Sequence, residues 1–236
     1  MTGTGLATHL LAVERERNMG YRSTRLYPAA VAILNLFFCA YFERYLKDDV
    51  SGYYLSLFLF FETVLYVSVS MTAFFTASQE ILSKSRIFPV TPAARLLFVL
   101  ASNFRRPVVL SLAASNVFFI VVLLRFTFPH TLIAALLFIL MIAAIEVIFA
   151  TTALIMLRRS IPTTGAVAML TFLLIVFLMG AMVFHIESLL RGIPVIGWTT
   201  SGIVAARAGN ASTSLLNLAW LGLISLAGLV AGRRFA

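Results

Sequence analysis

Residues 79–106 read QEILSKSRIFPVTPAARLLFVLASNFRR and form the longest polar, positively charged interruption of an otherwise apolar chain. This stretch contains two prolines and six charged residues: Glu80, Lys84, Arg86, Arg95, Arg105 and Arg106. Loops of membrane proteins that are rich in lysine and arginine face the cytoplasm. We therefore expect residues 79–106 to be a cytoplasmic segment at which the protein contacts a partner.

The composition is that of an integral membrane protein. Of the 236 residues, 61% are hydrophobic and 11% are charged, whereas soluble domains carry about 25% charged residues. The net charge of +9 comes from basic residues in short, separate groups. Such groups are typical of loops that set topology against anionic lipid, and they disfavour a nucleic-acid-binding patch. The single cysteine, Cys39, gives no information on the redox compartment.

The hydrophobic runs predict an all-α membrane fold with six transmembrane helices. A span needs about 20 mostly apolar residues, and such runs occupy residues 27–46, 52–78, 107–124, 131–157, 164–184 and 213–232. Residues 1–26 place an apolar cluster before several arginines. This pattern suits either an amphipathic helix in the membrane interface or a disordered basic tail.

Two further stretches are too short or too broken to be spans. Residues 96–104 are flanked by arginines on both sides, so we expect them to form an interfacial helix or the cytoplasmic base of the third span. We expect Pro107 to kink that span. Residues 185–212 contain Pro194, Trp198 and several glycines. There we expect short re-entrant helices in the outer leaflet, with Trp198 at the interface.

The distribution of basic residues sets the expected orientation. With both termini in the cytoplasm, 13 lysines and arginines lie inside and 5 outside, which accounts for all 18. This bias favours the orientation over its inverse and supports an even number of spans.

The sequence lacks the motifs of the common enzyme classes. There is no G-x-x-x-x-G-K-[ST] loop, no H-E-x-x-H helix and no G-x-S-x-G elbow. The three histidines, His9, His130 and His185, lack the spacing of metal ligands. We therefore expect no catalytic residues and no metal site.

Two carboxyl groups, those of Glu62 and Glu146, lie inside predicted spans. An ionisable residue within a span is costly and is a functional hypothesis by default, either as the lining of a cargo path or as a proton site. The alternative is a structural role, in which a protonated carboxyl hydrogen-bonds to a neighbouring helix.

The order of these features resembles the membrane subunit of type-2 ATP-binding-cassette (ABC) exporters. That family has a basic amphipathic elbow helix, six spans with both ends inside, and a cytoplasmic segment between the second and third spans. The segment carries a glutamate, a basic turn and a Pro-x-[Ser/Thr]-x-x-x-Arg-like sequence, here Glu80, Lys84, Arg86 and Pro89-Val90-Thr91-Pro92-Ala93-Ala94-Arg95. Short outer helices, often near a proline and a tryptophan, precede the last span, as in IPVIGW at residues 193–198. The glycine and paired leucines that often precede the family's Pro-Val are absent here.

The resemblance implies a permease half-subunit of an ATP-driven exporter, which is not an enzyme by itself. Two copies, or this chain and a close paralogue, would pair in the cell membrane above separate ATPase subunits that hold ATP and Mg. The helix at residues 79–87 would be the coupling helix, with Glu80, Lys84 and Arg86 contacting the ATPase. This chain would itself bind no cofactor. The cargo would be amphipathic (a lipid, a drug or a peptide), with Glu62 and Glu146 as candidate residues of its path.

Two other functions remain open at this stage. The first is an ATP-independent membrane carrier or channel that uses Glu62 and Glu146. The second is a membrane-bound enzyme that acts on lipid, although its catalytic residues are not recognisable in the sequence.

Overall fold

A computed structural model describes residues 26–46, 52–73, 91–104, 106–119, 130–158 and 187–235, and every element in these ranges is a helix. The elements are α1 (Leu26–Leu46), α2 (Tyr53–Ala73), α3 (Pro92–Phe104), α4 (Pro107–Phe118), α5 (His130–Arg158), α6 (Glu187–Gly192), α7 (Pro194–Arg207) and α8 (Ala211–Phe235). The predicted elbow at residues 1–25, the coupling helix at residues 79–87 and the fifth span at residues 164–184 lie outside these ranges.

Several of the described helices have the length and composition of membrane spans. Three qualify alone: Ala29–Leu46 in α1, His130–Ile155 in α5 and Ala211–Arg234 in α8. The bent pair α3–α4 qualifies as a fourth, and α2 contributes a shorter apolar stretch, Tyr53–Val67. The all-helical membrane class is therefore confirmed, while the total of six spans stays a prediction.

Contacts between aromatic rings show the relative direction of α1 and α2. The rings of Phe38 and Phe61 lie 5.2 Å apart, and those of Tyr45 and Tyr54 lie 5.1 Å apart. Rising residue numbers on α1 thus meet falling numbers on α2, so the two helices are antiparallel. The ring of Phe119, directly after α4, lies 5.1 Å from that of Phe58.

Two glycines of α8 lie in a close contact with α5. A β-carbon at Gly228 would come within 2.6 Å of Val147, and one at Gly232 within 2.7 Å of the Thr151 hydroxyl. That hydroxyl donates a hydrogen bond of 3.1 Å to the Gly228 carbonyl oxygen. Glycines let helix backbones approach closely, which favours packing in a bilayer. The α3 residue Leu96 also packs here, 3.0 Å from the position of a Gly232 β-carbon.

The polypeptide bends by 61° between α3 and α4. Pro107 occupies the first turn of α4, and Arg106 before it has extended backbone angles. Proline lacks an N–H and disfavours helical geometry in the preceding residue, so the helix is interrupted where the sequence predicts a kink. At its other end, α3 begins at Pro92, and the Thr91 side-chain oxygen accepts a hydrogen bond of 3.4 Å from the Ala94 N–H. Part of the PVTPAAR sequence is therefore a helix start.

Within the segment predicted to contain short outer helices, the described residues 187–207 form the two short helices α6 and α7. They pack against the end of α1: the Arg207 side chain donates a hydrogen bond of 2.9 Å to the Leu46 carbonyl oxygen. Gly52, with a positive φ of 79°, lies against Thr200 of α7. Because the Ser214 hydroxyl near the start of α8 donates to the Gly202 carbonyl oxygen, α8 also begins at this end of the bundle.

The tight turn between α6 and α7 depends on a glycine. A β-carbon at Gly197 would lie 2.0 Å from the Arg191 carbonyl oxygen, a backbone atom that cannot move away without displacing α6. A β-carbon at Gly222 in α8 would have no atom within 4 Å, so Gly222 is a matched control.

We predict that Gly197→Ala lowers the free energy of unfolding by about 1–3 kcal/mol, the usual cost of overpacking. Gly222→Ala should be neutral or slightly stabilising, because alanine favours helix. The apparent melting temperature of each variant in detergent tests this. Equal melting temperatures for the two variants would contradict the described turn.

Candidate functional site

The most polar part of the described interior centres on Asn116 of α4. Its Nδ2 donates to Glu62 Oε2 on α2. Its Oδ1 accepts a hydrogen bond of 3.0 Å from Asn35 Nδ2 and one of 3.4 Å from Cys39 Sγ, both on α1. The Asn35 amide also donates to Ser115 Oγ at 2.8 Å. One amide side chain therefore joins three helices, and we call these five residues with Tyr66 the Asn116 cluster.

All members of the Asn116 cluster are buried, and Glu62 and Tyr66 have no exposed surface. Three of its oxygen atoms, Glu62 Oε1, Asn35 Oδ1 and Tyr66 Oη, have no hydrogen-bond partner among the described residues. In hydrocarbon an unsatisfied polar group costs several kcal/mol. Such a concentration of unsatisfied oxygens is unusual for a packed bundle, in which nearly all buried polar groups find partners.

The second predicted carboxyl, that of Glu146 on α5, forms a separate pair. Its Oε2 accepts a hydrogen bond of 3.1 Å from Asn103 Nδ2 near the end of α3. Both side chains are fully buried. The Tyr66 hydroxyl interacts electrostatically with both Glu62 and Glu146.

Glu62 and Glu146 therefore each contact a different asparagine of the bent α3–α4 pair. Asn35, Asn103 and Asn116 were not singled out from the sequence. The sequence feature that could have identified them is an amide side chain within an apolar run, because polar side chains in spans often hydrogen-bond to neighbouring helices. A helix-by-helix count of polar residues at membrane depth would have found Asn35 and Asn116.

The other predicted site residues lie elsewhere. The proposed ATPase contacts Glu80, Lys84 and Arg86 fall outside the described residues. Pro194 is exposed in the first turn of α7. Trp198 is partly buried and stacks on Trp220 of α8 with the ring centres 5.7 Å apart.

No cluster of three or more histidine, cysteine, aspartate or glutamate side chains that could hold a metal ion occurs within the described ranges. The Asn116 cluster offers one carboxyl group, one thiol, amide oxygens and hydroxyls, and it contains no histidine, so it has fewer ligands than the three or four that a zinc site uses. Its chemistry is that of hydrogen bonding and of hard, oxygen-preferring cations.

Comparisons of the chain with protein-family models, with curated proteins and with solved structures found no match.

The Asn103–Glu146 contact gives a clean test of these pairs. Asn103→Leu leaves the Glu146 carboxyl without its amide donor, and we expect the free energy of unfolding to fall by about 1–3 kcal/mol. Adding Glu146→Met to Asn103→Leu removes this carboxyl group and should restore part of the lost free energy of unfolding. A double-mutant cycle of denaturant midpoints in detergent measures the coupling.

Asn217→Leu is the matched control, because the Asn217 amide donates to the Thr213 carbonyl oxygen of its own helix. It should show no coupling to Glu146→Met. If the changes in unfolding free energy caused by Asn103→Leu and Glu146→Met are also additive, the two side chains are not in contact in the protein.

Proposed function

We propose that this chain is the membrane-spanning permease subunit of an ATP-driven ABC exporter of the type-2 class, located in the cell membrane. It acts as a dimer, or with a close paralogue, coupled to separate ATPase subunits that carry ATP and Mg. Its substrate is amphipathic: a lipid, a drug or a peptide.

The observation that carries this proposal is the order and direction of the helices. An antiparallel pair (α1, α2), a bent span (α3–α4) and a long span (α5) precede two short helices and a final span (α8). The short helices contact the end of α1, Gly52 before α2 and the start of α8, all at one end of the bundle. This is the layout that the resemblance implies for outer helices before a sixth span.

The proposed orientation, with both termini in the cytoplasm, has support at the other end of the bundle. Arg233 and Arg234 in the last turn of α8 are exposed there, beyond the Leu96 contact with Gly232. Basic residues after a last span favour the cytoplasmic side.

A physical route for coupling follows from α3. The segment with Glu80, Lys84 and Arg86 directly precedes α3 in the sequence, and α3 carries Asn103 to the Glu146 carboxyl. A movement of that segment that displaced α3 would therefore change the contact between Asn103 and Glu146. Helix shifts of this kind are a common way to transmit domain movements.

An ATP-independent carrier or channel is the second candidate, and the burial of both carboxyls favours it. Glu62 and Glu146 have no exposed surface, and residues of this kind often mark ion or substrate pathways. In proteoliposomes without an ATPase, a carrier of this kind would transport its substrate, and Glu62→Gln with Glu146→Gln would abolish that transport.

We predict that the purified chain forms a stable complex with the ABC ATPase encoded nearest to it. Reversing the charges of Glu80, Lys84 and Arg86 should weaken the complex by about tenfold or more, as loss of paired interface charges does. Affinity by titration and ATP hydrolysis by the complex measure the effect.

Reversal of Arg233 and Arg234, which are exposed cations at the end of α8, is the control and should leave the affinity within a few fold. Failure of the chain to bind any ABC ATPase would overturn the exporter proposal. Equal weakening by both sets of reversals would refute the assignment of the coupling segment.

A further inference from the structure

The hydrogen bonds of the Asn116 cluster occupy most of its donor hydrogens; the second amide hydrogen of Asn116 and the hydroxyl hydrogen of Tyr66 remain. Asn35 Nδ2 donates one hydrogen to Ser115 Oγ and the other to Asn116 Oδ1. The Cys39 thiol also points to Asn116 Oδ1, and the Ser115 hydroxyl donates to the Leu112 carbonyl oxygen at 2.9 Å. An amide has only two donor hydrogens, and a thiol or hydroxyl has one.

The acceptors that remain belong to Asn35 and Glu62. Asn35 Oδ1 and Glu62 Oε1 are buried oxygens with no hydrogen-bond partner among the described residues, and both side chains are held by Asn116. The Tyr66 hydroxyl, also without such a partner, interacts electrostatically with Glu62. With at most two donor hydrogens left in the cluster, more oxygen lone pairs than donors surround a fully buried carboxyl group, and a bound cation would compensate both the lone pairs and the charge.

No lysine or arginine among the described residues interacts electrostatically with Glu62. The titratable groups that do interact with it are Cys39 on α1 and Tyr66 on α2. On the α4 side, Arg106 precedes Asn116 by ten residues, or about 15 Å along a helix axis. Arg191 and Arg207 belong to the α6–α7 end, where they contact the regions of Gly52 and Leu46. Gly52 lies ten residues from Glu62 on α2, or about 15 Å along the helix axis.

We propose that Glu62, Asn35 and Tyr66 form a buried binding site for a single monovalent cation, either a proton or Na⁺. Both ions match an oxygen-only site that has one formal negative charge: the proton bonds to a carboxyl oxygen, and Na⁺ accepts several oxygen ligands. Carboxyls at membrane depth serve as proton sites in many transport proteins. Asn116 is the positioning residue, because its amide holds the Glu62 and Asn35 side chains in place.

This site does not depend on the exporter proposal, since it lies within one copy of the chain and needs no ATPase. The site is compatible with either proposed function. The bound cation would either stabilise the structure or, by binding and leaving, alter the contact between α1, α2 and α4.

The test uses the full chain alone in lipid nanodiscs. The first measurement is binding of radioactive Na⁺, with choline as the ion that replaces it at constant ionic strength. The second is infrared difference spectroscopy of the carboxyl C=O band between mildly acidic and mildly alkaline buffer. Saturable binding of one Na⁺ per chain identifies Na⁺ as the ligand. A carboxyl band that appears in acid and does not respond to Na⁺ identifies a proton.

Either signal should be lost in Glu62→Gln and kept in Glu146→Gln, a matched change in the other buried carboxyl. Tyr66→Phe removes one oxygen without changing the shape of the ring, and it should weaken the ion's apparent affinity by about 2- to 10-fold. This variant also keeps the test decisive if Glu62→Gln does not fold.

Absence of both signals in the unmodified chain would overturn the proposal and make Glu62 a structural hydrogen-bonding group. A signal that Glu146→Gln removes, or that Tyr66→Phe leaves unchanged, would overturn the assignment to the Asn116 cluster. Failure of the chain to bind an ATPase leaves all these expected results unchanged.

Discussion

The hydrogen bonds of Asn116 are the interaction on which the described bundle most depends. A bilayer offers no water to polar side chains, so each must find its partner within the protein. The Asn116 amide contacts α1 through Asn35 and Cys39, and it contacts α2 through Glu62. Apolar packing in lipid gives helices little preference for one register over another, whereas these bonds form in one register only. The amide therefore specifies how α1, α2 and α4 align.

The bend between α3 and α4 allows one stretch of chain to contact both carboxyls. Asn103 and Asn116 are thirteen residues apart, which would separate them by about 20 Å along a straight helix. The 61° bend at Pro107 lets α3 lie against α5 and α8 while α4 lies against α1 and α2. Asn103 then reaches Glu146, and Asn116 reaches Glu62. A conformational change at this bend would act on both polar contacts at once, which connects the segment before α3 to the membrane interior.

The sequence predicted the membrane class, the extents of α1, α5 and α8, the interruption at Pro107 and the short helices after residue 185, because each depends on local hydrophobicity or on proline. It also identified Glu62 and Glu146, since a carboxyl within an apolar run is conspicuous. It did not predict which side chains they contact. Asn35 and Asn116 are 81 positions apart, and nothing local in either run indicates the other. The approach of Gly228 and Gly232 to α5 likewise depends on the packing of distant segments.

Asn116 of the bent span contacts both α1 and α2, and a single substitution tests this arrangement. Cys39 is the only cysteine in the chain, and its sulfur lies 3.4 Å from Asn116 Oδ1. In Asn116→Cys, mild oxidation in native membranes should form a disulfide with Cys39, measured as loss of both thiols to a maleimide gel-shift reagent after denaturation. Phe118→Cys, on the exposed face of α4, should keep both thiols. Disulfide formation at residue 118 and not at residue 116 would contradict the described arrangement.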